Sequence, residues 1–334
     1  MKKRVCIIFG GKSEEYEVSL SSAYGILESI DRDRYEISTI GITKNGEFLH
    51  YVGNNEDILH NRWQNNAKPI KIDFSRGCVD NFDKIDVFFP VCHGTFCEDG
   101  RLQGLFELMG ANYVGCDSFS SFLCMDKHLT KLVADSIGVP TVKSICISNK
   151  SDLPKKISYP VFVKPALSGS SRGADKARDR YELERAIDKA LLYSSKVLIE
   201  DYIEMLECEI GALDMINGDT VFSKVGSLSH SGEFYDYETK YINSGTHYSI
   251  PAKLPSSVSA KITEYARALF STLRCKGLAR LDFFVTNDYK IYFNEINTMP
   301  GFTKISMYPM LFKEMGYSFK ELISIIIENA LTKI

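Results

Sequence analysis

Asp282 and Glu295 carry side-chain oxygens on two neighbouring apolar stretches, Leu278–Val285 and Lys290–Ile296, joined by a turn at Thr286–Tyr289, and Asn297 directly follows the second. Residues two apart on a strand share a face, so Glu295 and Asn297 point one way while Ile296 points into a core. If Asn287-Asp288 form a two-residue turn, Arg280 falls opposite Glu295 and Asp282 opposite Phe293. Arg280, Asp282, Glu295 and Asn297 then crowd one face. Oxygen ligands gathered in this way suit a hard cation, typically Mg²⁺ bridging nucleotide phosphates. A solvated hairpin face with a surface Arg–Glu pair would use the same residues. Directly after them, Pro300-Gly301 is a turn able to bring backbone N–H groups to a reacting centre.

Lys164 ends a second apolar stretch and opens the small-residue loop Ser168-Gly169-Ser170-Ser171-Arg172-Gly173. Such a loop can wrap phosphate oxygens with N–H groups and hydroxyls, or simply be a flexible surface segment. Gly10-Gly11 also follows a strand-like run, but without the G-x-G-x-x-G spacing of dinucleotide folds. Glu14, Glu15 and Glu17 beside it would repel a pyrophosphate; they suit an ammonium group, or merely the helix dipole. His93, in His93-Gly94-Thr95-Phe96-Cys97-Glu98-Asp99-Gly100, follows a further strand on the edge where parallel sheets hold ligands. It could move a proton, donate an orienting hydrogen bond, or sit in a plain tight loop.

The elements that position these groups begin with strands at Val5–Phe9, Tyr35–Thr43 and Ile85–Val91. They alternate with a helix carrying Val18, Ser22, Ile26 and Ile30 and another at Leu102–Met109, a pattern that predicts a parallel sheet. About Asn54 to Val79, polar and irregular, has no assignment. A second unit opens near Asp117, with Ser118 capping a helix through Ile137. A strand at Val161–Lys164, a helix at Tyr181–Tyr193 and a strand at Val197–Ile203 follow. From Glu207 come hairpin strands around Asn217-Gly218-Asp219, a polar loop at Leu228–Tyr248 and a helix at Ser256–Leu273.

Composition sets the frame. The 334 residues suit two or three packed domains, and 40 Lys+Arg against 43 Asp+Glu give no support for a nucleic-acid or membrane-surface partner. No apolar run approaches transmembrane length, and the run after the basic amino terminus stops too early for a signal peptide. Nine cysteines, an odd number with no Cys-x-x-Cys pair, read as reduced thiols and so as a cytoplasmic protein.

Taken together, these segments resemble the ATP-grasp family, and within it the D-alanine–D-alanine ligases and their vancomycin-resistance relatives. The likeness runs from Phe9-Gly10-Gly11-Lys12-Ser13-Glu14-Glu15 through His93-Gly94-x-x-Cys97-Glu98-Asp99-Gly100, Met125-Asp126-Lys127 and Phe162-Val163-Lys164-Pro165. Tyr235-Asp236-Tyr237-Glu238-x-Lys240-Tyr241 and Asn294-Glu295-x-Asn297-Thr298-x-Pro300-Gly301 complete it. The resemblance implies an α/β and α+β chain with a three-domain ATP-grasp fold. A Rossmann-like parallel-sheet domain would span 1–116, and the ATP-grasp subdomains 117–206 and 207–334.

It implies ATP on Lys127, Lys164, Ser170, Ser171, Glu200, Ile203, Glu207 and Asn294, and two Mg²⁺ (or Mn²⁺) on Asp282, Glu295 and Asn297. Glu15 would hold the ammonium of the first D-amino acid and form a triad with Ser170 and Tyr241. Arg280 and the Gly301 N–H would stabilise an oxyanion, Lys240 and Ser306 would hold substrate or phosphate, and His93 would line the substrate site. The implied reaction joins D-alanine to D-alanine through an acyl phosphate, for peptidoglycan precursors, in a cytoplasmic homodimer. A D-alanine–D-serine ligase, or a silent nucleotide-binding homologue, is the alternative. Lys240-Tyr241 resembles the dipeptide-forming enzymes, whereas Val114–Ser118 and Cys124–Lys127 resemble the D-Ala–D-Ser branch. The chain departs from the family pattern at Cys97 (usually Gly), Arg172 (usually apolar) and Ile305 (commonly His).

Overall fold

Val5–Phe9 is apolar at every position, which suits a strand covered on both faces. The computed structural model describes residues 1–73, 78–79, 85–230 and 246–332, and in it β1 (Lys3–Gly10) is such a strand. It lies between β2 (Tyr35–Ile42) and Val87–Pro90, parallel to both. Val5, Ile7 and Phe9 pack with Leu20, Ala23 and Ile26 of α1 (Tyr16–Ser29). Cys6 and Ile8 face the other way, into a core with Leu102 and Phe106.

β3 (Phe48–Tyr51) and β4 (Ala67–Pro69) extend the five-stranded sheet on its antiparallel side. β5 (Ile72–Asp73) and β6 (Cys78–Val79) pair with each other, and Val87–Pro90 is β7. The unassigned stretch therefore holds structure: α2 (Asn55–Leu59), capped by the Asn54 side chain, and a fully buried Trp63 edge-on to Phe9.

The sheet's outer face carries α3 (Arg101–Leu108). The expected single helix from Ser118 is two, α4 (Ser118–Met125) and α5 (Lys127–Ser136). Asp126 is extended there and its carboxylate accepts the His128 and Leu129 N–H groups, so it starts a new helix instead of continuing the old one. The cap of α4 is Asp117, not Ser118: its side chain accepts from Ser120 N.

β8 (Ser144–Ile147), β9 (Val161–Pro165), β10 (Asp175–Ala177) and β11 (Val197–Asp201) form an antiparallel sheet in the order β10-β9-β11-β8, backed by α6 (Arg180–Leu191). β12 (Leu206–Asp214) centres a larger one with β13 (Thr220–Phe222), β14 (Gly226–His230), β15 (Thr246–Ser249), β16 (Leu278–Val285) and β17 (Ile291–Asn297). The polar loop expected from Leu228 thus begins and ends in paired strands, with Leu228 opposite Tyr248. α7 (Ser256–Thr272) covers this sheet through Ile262, Ala266 and Leu269. α8 (Met307–Glu314) and α9 (Phe319–Leu331) close the chain, and Leu322, Ile323 and Ile326 of α9 enter the same core as β1. Among the described residues no helix is long and apolar enough to cross a membrane.

Candidate active site

The β16–β17 hairpin does not have the register that a two-residue turn would give. Thr286 N bonds Lys290 O, so the turn is longer, and Val285 pairs with Ile291. The ladder then slips between Asp282 and Phe283, leaving Asn294 as an extra residue. Asp282 consequently faces Glu295, and Arg280 faces Asn297. Phe293 and Ile296 both enter the core, while the bulged Asn294 and Glu295 both line the cleft.

Arg280 forks onto Asp282, with Nε to Oδ1 at 2.8 Å and Nη2 to Oδ2 at 2.7 Å. Asn297 Nδ2 donates to Asp282 Oδ2 at 3.0 Å. Burial pushes the Asp282 carboxyl up to about 6 although Arg280 pulls it down.

Two clefts meet here. One runs between the antiparallel sheets. On its floor Lys164 Nζ contacts Asn294 Oδ1 at 2.8 Å and Glu200 Oε2 at 2.9 Å. Burial would raise the Glu200 carboxyl, but Lys164 and Lys131 hold it below the ordinary carboxylate value. Ile203, Glu207, Ser170 and Ser171 line the same cleft. The second cleft is lined by Glu15, His93, Arg280, Gly301 and Ser306. Lys127, Glu295 and Ser170 border both, and Lys127 Nζ lies 2.8 Å from Glu295 Oε2.

Loop geometry brings the second cleft together. Ser170 Oγ donates to Glu15 Oε1, and Ser170 and Ser171 hold left-handed φ values of 51° and 55°. A Cβ on Gly169 would come within 2.6 Å of Glu15 Oε2, so any larger residue there would displace the Glu15 carboxylate from its present position. Arg172 Nη1 lies 3.2 Å from Glu14 Oε2, adding a second tie between the loop and the start of α1.

Beneath the cleft, His93 Nδ1 lies 2.9 Å from Met299 O and Nε2 3.1 Å from Ser22 Oγ. Nδ1 must donate to the carbonyl, so in the neutral ring Nε2 accepts from Ser22, whose oxygen in turn accepts Phe302 N. Burial lowers the His93 pKa and favours that neutral ring. His93 lines the cleft but is tied to the 299–302 backbone. Glu98, pushed up to about 8 by burial and by Glu15, accepts Gly94 N and Met299 N through its two oxygens. Ser306 Oγ contacts Thr303 Oγ1 at 2.8 Å and accepts Thr303 N.

The structure thus gathers Glu15, Ser170, Arg280, Gly301, Ser306 and His93 around one cleft and Lys127, Lys164, Glu200, Ile203, Glu207 and Asn294 around the other. Lys240 and Tyr241 lie outside the described residues. Of the departures, Cys97 is buried with its thiol against Gly11, its pKa raised by the Cys92 thiol and by burial, so it is packing and not a nucleophile. Ile305 is exposed at the rim of the second cleft. Sequence reading missed Glu98, Ser22 and Glu209. Glu209, on β12 opposite Asp282, lies 2.9 Å from Arg280 Nε through Oε2, and the Glu207-x-Glu209 alternation on a strand was the available signal.

The donors here fit a hard divalent cation: Asp282, Glu295 and Asn297 can each offer a side-chain oxygen, and Glu207, Glu209 and Asp282 bring carboxylate atoms within 4.8 Å of one another.

A largely parallel sheet followed by two antiparallel sheets that flank a lysine-lined cleft is the ATP-grasp arrangement that the motifs led us to expect. The family model "D-ala D-ala ligase N-terminus" matches residues 4–116, and "D-ala D-ala ligase C-terminus" matches 137–328. The D-alanine–D-alanine ligase of Acetivibrio thermocellus is 43% identical over 99% of this chain and 96% of its own length. That of Clostridium novyi is 40% identical over 100% and 99%. Among solved structures, VanG D-Ala:D-Ser ligase from Enterococcus faecalis superimposes with a TM-score of 0.89 at 35% identity, covering 99% of this chain and 100% of that one. The D-alanine–D-alanine ligase from Coxiella burnetii gives 0.84 at 32%, covering 99% and 95%. The chain belongs to the D-alanine–D-alanine ligase family.

Proposed function

We propose that the protein joins D-alanine to D-alanine with ATP, through an acyl phosphate, to supply peptidoglycan precursors. The observation that carries this is the meeting of the two clefts at Lys127 and Glu295, where a nucleotide in one would face an amino acid in the other. In the first step a carboxylate oxygen of the first D-alanine attacks the γ-phosphorus, and ADP leaves. Both partners are anions, so Lys127 and Lys164 offset their repulsion. Divalent ions on Asp282, Glu295 and Asn297, which we take to be two Mg²⁺, would neutralise phosphate charge and align the attacking and leaving oxygens.

Glu15 would hold the first ammonium, and Ser170 with Tyr241 would close the loops over it. The second D-alanine's amine, deprotonated, then attacks the acyl carbon. Arg280 and the Gly301 N–H stabilise the tetrahedral oxyanion, and collapse expels phosphate and leaves the dipeptide. Glu200, Ile203 and Glu207 would seat adenine and ribose, with Asn294, Ser170 and Ser171 on the phosphates. Lys240 and Ser306 would hold substrate or phosphate, and His93 would fix the 299–302 backbone behind them. We assign three domains at 1–116, 117–206 and 207–334, and a cytoplasmic homodimer.

Incubation with ATP, Mg²⁺ and D-alanine should release phosphate and yield dipeptide; ATP binding without turnover on any pair of D-amino acids would overturn the proposal. The VanG likeness supports D-serine as an alternative second substrate, which product masses from a D-alanine/D-serine competition distinguish.

A further inference from the structure

Arg280 Nε carries one hydrogen and stands between two carboxylates, Asp282 Oδ1 at 2.8 Å and Glu209 Oε2 at 2.9 Å. One N–H cannot aim well at both. It is bonded to Asp282, and Nη2 completes the fork at 2.7 Å, so Glu209 is held as a close ionic neighbour. Asp282 has a competing task, because the proposed reaction gives its oxygens to a divalent cation. A dication outweighs a guanidinium for those lone pairs, and like charge pushes Arg280 away. Without another anchor Arg280 would lose its aim on the cleft when the metal enters. Glu209 sits one strand over, opposite Asp282 and largely buried, at a distance that needs almost no movement.

We propose that Glu209 is a positioning residue that takes over Arg280 when a cation occupies Asp282, keeping the guanidinium aimed at the reacting carbonyl. Although a Glu209 carboxylate oxygen lies within 4.8 Å of oxygens of Glu207 and Asp282, it is engaged by Arg280, and in this scheme Glu209 touches neither substrate nor metal but acts through Arg280. The proposal rests on Arg280 being the oxyanion donor proposed above.

The first test uses the unaltered protein, crystallised with Mn²⁺ and a non-hydrolysable ATP analogue. Arg280 Nε should stay within hydrogen-bond reach of Glu209 and lie beyond 3.5 Å from Asp282. An Arg280 still forked on Asp282, or Glu209 bound to the metal, overturns the proposal. The second test uses Glu209→Gln, with Arg280→Lys and the double variant alongside. Glu209→Gln should lower kcat about 10–100-fold, leave Mn²⁺ affinity in the presence of ADP unchanged by electron paramagnetic resonance, and be partly rescued by Glu209→Asp. In the Arg280→Lys background it should cost little more, since the two act as one unit. Additive losses, or weaker Mn²⁺ binding, overturn it. Full activity of Glu209→Gln beside a crippled Arg280→Lys defeats the Glu209 inference alone; full activity of Arg280→Lys defeats the proposed role of Arg280.

Discussion

Asp282 and Glu295 stand directly opposite one another across the β16–β17 pair because Asn294 is an extra residue in the ladder. Neighbouring carboxylates on one face are costly unless a cation lies between or beside them; in this structure Arg280 and Lys127 serve. Asp282→Asn should remove at least about 100-fold of turnover, the order lost with one electrostatic contact in a reacting site. It should cost about 2 kcal/mol of stability, one charge-assisted fork, and leave a cooperative thermal transition. Steady-state phosphate release and a circular-dichroism melt check the two halves separately.

Glu15 offers a carboxylate to the second cleft while accepting from Ser170. Glu15→Gln should raise the KM for the first D-amino acid about 30–100-fold, the loss of a buried charge partner for an ammonium. The KM for ATP, which belongs to the other cleft, should stay within about twofold. Initial rates with each substrate varied in turn decide this.

Glu98 makes stability depend on pH in an unusual direction. Its folded pKa of about 8 lies above the ordinary 4.5, so the folded state holds the extra proton between those values. The stability this proton contributes is full below about 4.5 and is lost as pH rises through 8. His93, shifted down from 6.5, acts oppositely and costs stability as pH falls below that value. Urea unfolding at pH 5.5 and 8.5 should show a smaller decline in Glu98→Gln than in the parent, by up to a few kcal/mol.

The core strands were legible because their chemistry is local. Val5–Phe9 is apolar without interruption, and a strand buried on both faces is what that run can do. Alternation likewise placed Ile296 inward and Glu295 outward. The pairing across the hairpin was not legible, because it turns on a bulge whose energy comes from both strands together: Asn294 is drawn into the cleft by Lys164, 130 residues away in sequence. The break at Asp126 was readable in principle, since an Asp amid a helical pattern is a cap in waiting. Glu209 went unnoticed because its importance lies in Arg280, on a strand that only the fold makes its neighbour. Trp63 had no periodic pattern around it and is fixed by contacts with Phe9 and Tyr51 from other strands.

Arg172 pairs with Glu14 at a half-open site whose side chains are 26% and 61% exposed. Exposed pairs of this kind contribute roughly 0–1 kcal/mol and weaken with salt. Arg172→Ala should therefore leave the melting temperature nearly unchanged and shift the KM for D-alanine by less than about threefold. Exchanging the charges, Arg172→Glu with Glu14→Arg, should restore the parent's salt dependence of KM, and failure to do so would place Arg172 on a different partner.

The most direct measurement follows oxygen. With D-alanine carrying ¹⁸O in its carboxylate, attack on the γ-phosphorus leaves one labelled oxygen in the phosphate released with each dipeptide. Mass spectrometry should find one ¹⁸O in inorganic phosphate for every D-alanyl-D-alanine formed. Dipeptide accompanied by unlabelled phosphate, or phosphate released with no dipeptide, would contradict ligation through an acyl phosphate.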